Sequence, residues 1–287
     1  SPPLPLSPLP SPLSPLPSLH STQYLCYLCP MNLYFQEIGQ GYPLIILHGI
    51  FGSGDNWLTL GRQFAANHRV FLIDQRNHGR SPWDDAFSYQ LLADDLRDFM
   101  DQQGLEQADI IGHSMGGKVS MLFALEHPAR VRRLIVVDIA PKTYNLAEHK
   151  HILATLSDFE LNSYQTRTEI DHALAADLPE YSTRQFILKN IYRNEAHAFA
   201  WRLNVKALQD NLEEIGRNLD STDRFNPPTL FIHGGKSGYV QPEDHARIRT
   251  LFPQARIATV PGAGHWVHAE APDALFALAS DYLETGI

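Results

Sequence analysis

Ser114 stands in the pentapeptide Gly112-His113-Ser114-Met115-Gly116, directly after the apolar pair Ile110-Ile111 and before a helix-compatible run from Lys118 to Glu126. A serine hydroxyl is a poor nucleophile until a base takes its proton. A sharp strand-to-helix turn lifts such a hydroxyl to where a base and a substrate both reach it. Glycines at 112 and 116 suit so tight a turn, because a Cβ at either position would collide with neighbouring backbone. A bare G-x-S-x-G also arises by chance in βα loops, so the motif gains weight only from what else the chain supplies.

The partner expected as general base is His265, in Pro261-Gly262-Ala263-Gly264-His265-Trp266, where small residues let a loop fold over a sheet edge. The chain order Ser, Asp, His suits that role. His268 is its competitor, although it more naturally enters a helix start, and His48 and His113 are expected to shape their turns. The orienting acid is less direct. The segment Phe231-Ile232-His233-Gly234-Gly235 is followed by Lys236-Ser237-Gly238-Tyr239, with no carboxylate until Glu243 and Asp244. Asp138, ending Leu134-Ile135-Val136-Val137, is the better candidate, because a carboxylate at a buried strand tip can hold an imidazole and stabilise its charged form. Backbone N–H groups of Ile50 and Met115 are the expected oxyanion hole, worth about a few kcal/mol each to a developing negative charge. Asp74 and Arg76 read as braces for the neighbouring loop. Phe51, Trp57, Trp201, Tyr239 and Trp266 are the aromatic side chains expected to line an acyl pocket, and no residue set suggests a metal site.

These groups need a scaffold that brings distant residues to one edge. From Met31 onward, short apolar runs alternate with amphipathic helical ones, the pattern of a mostly parallel twisted sheet with helices on both faces, an α/β fold. Strands are expected at 33–38, 44–48, 70–74, 110–112, 134–138, 229–233 and 256–260. The alternation stops after Asp138 and resumes at Thr229. Residues 141–225 carry helical periodicity and no convincing strand, so they read as a helical cap inserted in a core of 31–140 and 226–287. Such an insertion, leaving from the carboxyl edge of the strands, would roof the site.

The chain has 287 residues, enough for one domain with an insertion. Its 23 lysines and arginines against 32 aspartates and glutamates give a net charge of −9, which argues against nucleic acid or an anionic membrane as the main partner. No apolar run is long enough to span a bilayer, and a soluble cytoplasmic protein is expected. Residues 1–30 repeat Ser-Pro-Leu-Pro units and read as a polyproline II leader of non-native origin, with Met31 as the natural start. Cys26 and Cys29 form a C-x-x-C without a second metal-binding pair. A homo-oligomer with the leader packed on a neighbouring copy is left open.

Leu47-His48-Gly49-Ile50-Phe51-Gly52-Ser53, Asp74-Gln75-Arg76-Asn77-His78-Gly79, Gly112 to Lys118, Asp138-Ile139-Ala140-Pro141 and Gly262 to Ala269 together resemble the α/β-hydrolase superfamily. Within it they are similar to the group formed by the YbfF esterases and abhydrolase-domain-containing protein 11. The resemblance covers nearly all of 31–287. It implies the α/β-hydrolase fold with a small helical cap after the sixth strand and a cofactor-free serine esterase with the acid at Asp138. The substrates it implies are small-molecule esters of short to medium acyl chains. An acyl thioesterase, a C–C hydrolase or a perhydrolase would keep the same serine. A ligand-binding scaffold without activity is the alternative from a different class.

Overall fold

The structure is a computed structural model and describes residues 31–286. The Pro-rich leader and the Cys26–Cys29 pair lie outside the described residues. The chain runs β1 (Phe35–Ile38), β2 (Tyr42–Leu47), α1 (Leu58–Phe64), β3 (His68–Ile73), α2 (Tyr89–Gln102), β4 (Ala108–His113), α3 (Met115–Glu126) and β5 (Val131–Val137). It continues through α4 (Ala147–Asp158), α5 (Arg167–Leu174), α6 (Tyr181–Leu188), β6 (Ile191–Arg193), β7 (Phe199–Trp201), α7 (Val205–Asp210) and α8 (Leu212–Gly216). The last elements are β8 (Thr229–Gly234), α9 (Asp244–Leu251), β9 (Ala255–Val260), α10 (Val267–Glu270) and α11 (Pro272–Thr285).

Seven strands form one sheet in the order β1-β3-β2-β4-β5-β8-β9. Only β1 is antiparallel to its neighbour. Central strands are continuous apolar runs because both of their faces are covered. Along β2, Ile45 and Leu47 pack with α2 residues Leu92, Leu96 and Phe99, whereas Leu44 and Ile46 pack with Leu60 and Phe64 of α1 and Leu275 of α11. That alternation follows from successive side chains pointing to opposite faces of a strand. Local signals set the helix ends. Ser88 accepts from the Leu91 amide at the start of α2, while α11 opens on Pro272 and closes on Gly286 at φ 71°.

The excursion from the sheet between β5 and β8 holds α4 to α8, with Thr166 and Glu169 forming a capping box on α5. Two expectations need correction here. The insertion follows the fifth strand of the described chain, not the sixth, because a single antiparallel strand precedes the parallel run. It also contains an antiparallel pair, β6 with β7, whose three-residue strands are too short to show a period-two pattern. Among the described residues no helix is long and apolar enough to cross a membrane.

Candidate active site

All the parallel strands point their carboxyl ends at one edge, and Ser114 sits between the tip of β4 and the start of α3 at φ 52°, ψ −117°. That backbone conformation is sparsely populated for a residue with a side chain, and it persists because neighbours hold it from both sides. The Ser114 amide donates to the Val137 carbonyl at 3.0 Å, and the Gly116 amide to the His48 carbonyl at 3.1 Å. A Cβ at Gly116 would lie 2.5 Å from the Leu47 carbonyl oxygen, and one at Gly112 would run into Gly116 and Ser120. Only glycine lets α3 approach β2 this closely.

The Ser114 hydroxyl lies 3.0 Å from His265 Nε2, and His265 Nδ1 lies 2.7 Å from Asp138 Oδ2. A proton on Nδ1 donates to the carboxylate and leaves Nε2 to accept from the serine. Asp138 is fully buried at the tip of β5, also at φ 52°, and receives two further hydrogen bonds. The Gly234 amide donates to Oδ1 at 2.9 Å and the Ser237 hydroxyl to Oδ2 at 2.5 Å. A buried carboxylate so supplied with donors keeps its orientation. Glu243 and Asp244 lie elsewhere. Asp244 starts α9 and pairs with Lys142 at 2.5 Å.

The loop carrying His265 is clamped. Glu270 accepts from the Gly264 amide at 2.7 Å and from the Trp266 amide at 3.2 Å, one on each side of the imidazole. His113 Nε2 donates to the His265 carbonyl at 2.9 Å. The Tyr239 ring stacks on the imidazole with 3.7 Å between centroids, and burial pushes its hydroxyl pKa up to about 12. Burial lowers His48 and His149 to about 4 and His268 to about 3, and it holds His113 well below its ordinary value. These four neighbouring rings are therefore uncharged near neutral pH. His268 is packed face to face on Trp57 at 4.8 Å, inside the core.

On the opposite side of Ser114, the turn from His48 to Gly54 is fastened to the segment after β3. His48 Nε2 accepts from the Gln75 amide at 3.0 Å, and Gln75 Nε2 donates to the His48 carbonyl at 2.6 Å. His78 Nε2 accepts from the Phe51 amide at 3.3 Å, and Asp74 accepts from the Gly54 and Arg80 amides at 2.7 and 2.8 Å. Arg76 forms a two-pronged pair with buried Asp95 at 2.5 and 2.8 Å. Asp74 thus braces this turn directly, while the Arg76 side chain ties the segment after β3 to Asp95 and the Ala86 carbonyl. Among the described residues, neither the Ile50 nor the Met115 amide has a protein acceptor. Two free N–H groups beside a serine hydroxyl are the arrangement that a carbonyl oxygen gaining charge would require.

A cavity of about 250 Å³ opens above Ser114. Phe51, Tyr239 and Trp266 line it, as the sequence suggests, together with His149, Phe186 and Ile187 of the cap. Trp201 does not. It belongs to β7, where it is paired in register with Ile191 and partly buried against the core. Trp57 is likewise a core residue, 1% exposed. Phe186, which pairs with Trp266 at 5.2 Å between centroids, escapes sequence reasoning because nothing local distinguishes it from other apolar positions on α6.

A parallel sheet presenting a serine, a histidine and an aspartate in hydrogen-bonded series defines a hydrolase of the α/β type. The alpha/beta hydrolase fold model matches residues 42–159 and 147–272, and the chain belongs to that family. The sn-1-specific diacylglycerol lipase ABHD11 of Mus musculus is 39% identical over 247 residues, 84% of this chain and 80% of that one. Esterase YbfF of Escherichia coli (strain K12) is 38% identical over 241 residues, 84% of this chain and 92% of that one. A solved marine microorganism esterase superposes with a TM-score of 0.86 at 40% identity, covering 88% of this chain and 99% of that one. These similarities place the protein among hydrolases of the esterase and lipase type.

Proposed function

We propose that the protein hydrolyses carboxylic esters of short to medium acyl chain through an acyl-enzyme on Ser114. The observation that carries this reading is the unbroken series Ser114 Oγ, His265 Nε2, His265 Nδ1, Asp138 Oδ2, with spacings of 3.0 and 2.7 Å. His265 takes the hydroxyl proton as Oγ bonds to the ester carbon. The carbonyl oxygen, now negative, lies against the amides of Ile50 and Met115. The tetrahedral species collapses, the alcohol departs with the proton returned by Nε2, and the acyl group stays on Oγ. Water then gives its proton to His265 and its oxygen to the acyl carbon, which releases the acid and restores the serine.

Asp138 holds the imidazole and offsets its charge, and the cap, residues 141–225, supplies the outer wall that selects substrate. Phe51, Tyr239 and Trp266, with Ile152, Phe186 and Ile187 of the cap, form the apolar part of the cavity. Its charged lining residues are Glu148, Glu180 and Glu270, with no lysine or arginine, which favours a neutral leaving group over a polyanionic acyl carrier. The test is p-nitrophenyl butyrate turnover with fluorophosphonate labelling. Wild type should turn over and be labelled at Ser114, and Ser114→Ala should lose both. Turnover that survives in Ser114→Ala at more than a trace refutes the assignment.

A further inference from the structure

The active-site cavity does not end at Ser114. A narrow seam of about 20 Å³, room for about one water, continues past Ser114 and Met115. It shares Ile50, Ser114, His149 and Tyr239 with the main cavity. At its far end the seam meets Tyr144 and Leu146, and both of these also line a third chamber of about 480 Å³. That chamber lies where the chain enters and leaves the cap, between residues 143–147 and Leu212, Glu213 and Gly216. Tyr144, Leu146, Ala147 and Leu212 are its mainly apolar lining, Thr143 and Asn145 are polar, and Lys150 and Glu213 supply charge.

We infer that this outer chamber is the subsite for the far end of a longer acyl chain, and that Leu146 is the gate between it and the nucleophile. The inference deepens the proposed esterase reading and rests on it. Three observations single out an alkyl chain. Ser114 and Met115 both line the seam, so a group bonded to Ser114 Oγ stands at its mouth. Its lining joins the apolar side chains of Ile50, Met115, Ile139, Leu146 and Ile215 to the rings of Tyr89, Tyr144, His149 and Tyr239, with no lysine, arginine, aspartate or glutamate. The inner cavity, about 250 Å³, is by itself below the usual range for a site enclosing a drug-sized ligand, and the outer chamber adds about 480 Å³ of space beyond it.

The walls of the seam differ in how firmly they are held. Tyr144 donates to the Tyr239 carbonyl at 2.8 Å and receives the Ala140 amide at 2.7 Å. Tyr89 donates to the Ile215 carbonyl at 2.8 Å, and Lys118 faces both tyrosine rings while donating to the carbonyls of Gly216 and Arg217. Leu146 has only van der Waals neighbours, with Gly216 so close that a Cβ there would stand 3.1 Å from Leu146 Cδ1. A rotamer change at Leu146 therefore opens the seam without breaking a hydrogen bond.

The experiment measures kcat/KM for p-nitrophenyl butyrate, octanoate and dodecanoate in wild type, Leu146→Ala, Leu146→Trp and Ala147→Trp. Each methylene withdrawn from water is worth about fourfold. Leu146→Ala should raise the dodecanoate-to-butyrate ratio. Leu146→Trp, which blocks the gate, and Ala147→Trp, which fills the exposed outer chamber, should each lower it at least about tenfold. Ratios equal to wild type in both tryptophan variants overturn the inference. Dodecanoate binding to Ser114→Ala by calorimetry reads the chamber independently of turnover, and adding Ala147→Trp to that variant should weaken it. Loss of all ester turnover in wild type with intact, Ala147-dependent dodecanoate binding defeats the esterase reading but not the chamber. Turnover of every ester with an unaltered length profile and unaltered binding defeats the chamber alone.

Discussion

The two walls of the cavity are built on opposite principles. The sheet-edge wall consists of strand tips and tight turns in which nearly every polar group has a fixed partner. Asp138 has three donors, Glu270 clamps both sides of His265, and the His48–Gly54 turn is fastened by Gln75, His78 and Asp74. The cap wall presents His149, Ile152, Phe186 and Ile187, held mainly by packing, and the Nδ1 of His149 is buried without a partner. Geometry that must be kept within fractions of an ångström is supplied by hydrogen-bonded backbone, and shape that must accommodate substrate by apolar side chains on an insertion. On the proposed esterase reading, one wall serves the chemistry and the other the choice of molecule.

The largest effect that sharpens this contrast is on turnover. Asp138→Asn should lower kcat by about 10³- to 10⁴-fold, since the imidazole loses the acceptor that sets its tautomer. Asp244→Asn, which weakens the pair with Lys142 and the hydrogen bond from the Gln241 amide, should stay within about threefold. Steady-state kinetics on p-nitrophenyl butyrate decide it, and comparable losses in the two variants would break the assignment of the acid.

Next comes stability, where each wall has its own arginine–aspartate pair. Arg76–Asp95 has side-chain exposures of 7% and 6%, against 11% and 22% for Arg184–Asp171 in the cap. Asp95→Ala leaves a buried guanidinium unpaired and should cost about 3–5 kcal/mol in denaturant unfolding. Asp171→Ala should cost about 1–2 kcal/mol, because Arg184 keeps the carbonyls of Leu178 and Pro179 as acceptors. A reversed order would mean that the cap, not the sheet, is the stiffer half.

Lys118 joins the halves, reaching from α3 to the last turn of the cap, and burial lowers its ammonium to about 7. The unfolded chain holds this proton up to about pH 10, so the group costs the fold most below pH 7, and the cost fades as pH rises from 7 to 10. The melting temperature of wild type relative to Lys118→Met should therefore climb across that window. A constant offset would show that the ammonium is not buried in solution.

The smallest effect concerns His268, held neutral by burial down to about pH 3. A ring that takes up a proton only on unfolding stabilises the fold above pH 6.5 and loses that contribution as pH falls toward 3. His268→Phe keeps the stacking on Trp57, so its melting temperature should fall less than that of wild type between pH 7 and 5. Equal slopes would show that some other group governs the acid limb.

The sheet wall was largely legible in the sequence because its rules are local. Continuous apolar runs mark doubly buried strands, and the glycines at 112 and 116 mark a turn with no room for a Cβ. The gap in strand periodicity after Asp138 marks the insertion, and the absence of a carboxylate after Phe231-Ile232-His233 directs attention to Asp138. The cap wall was not legible to the same degree. Trp201 looks like a pocket aromatic, yet its place in the β6–β7 pair turns it to a supporting role, while Phe186 and His149 reach the cavity only through the way α4 and α6 settle over the sheet edge. Side-chain placement on an insertion depends on tertiary packing, to which neither periodicity nor motif spacing is sensitive.

Ser114 and Asp138 share a positive φ of 52°, and this restricts what the two positions can become. A β-branched residue in that region is severely crowded, so threonine, chemically the nearest relative of serine, is a poor replacement at 114, while unbranched cysteine and aspartate fit the same backbone. Reprogramming this scaffold toward thiol or carboxylate nucleophiles is therefore sterically open, and a secondary-alcohol nucleophile is closed to it by the shape of its own main chain.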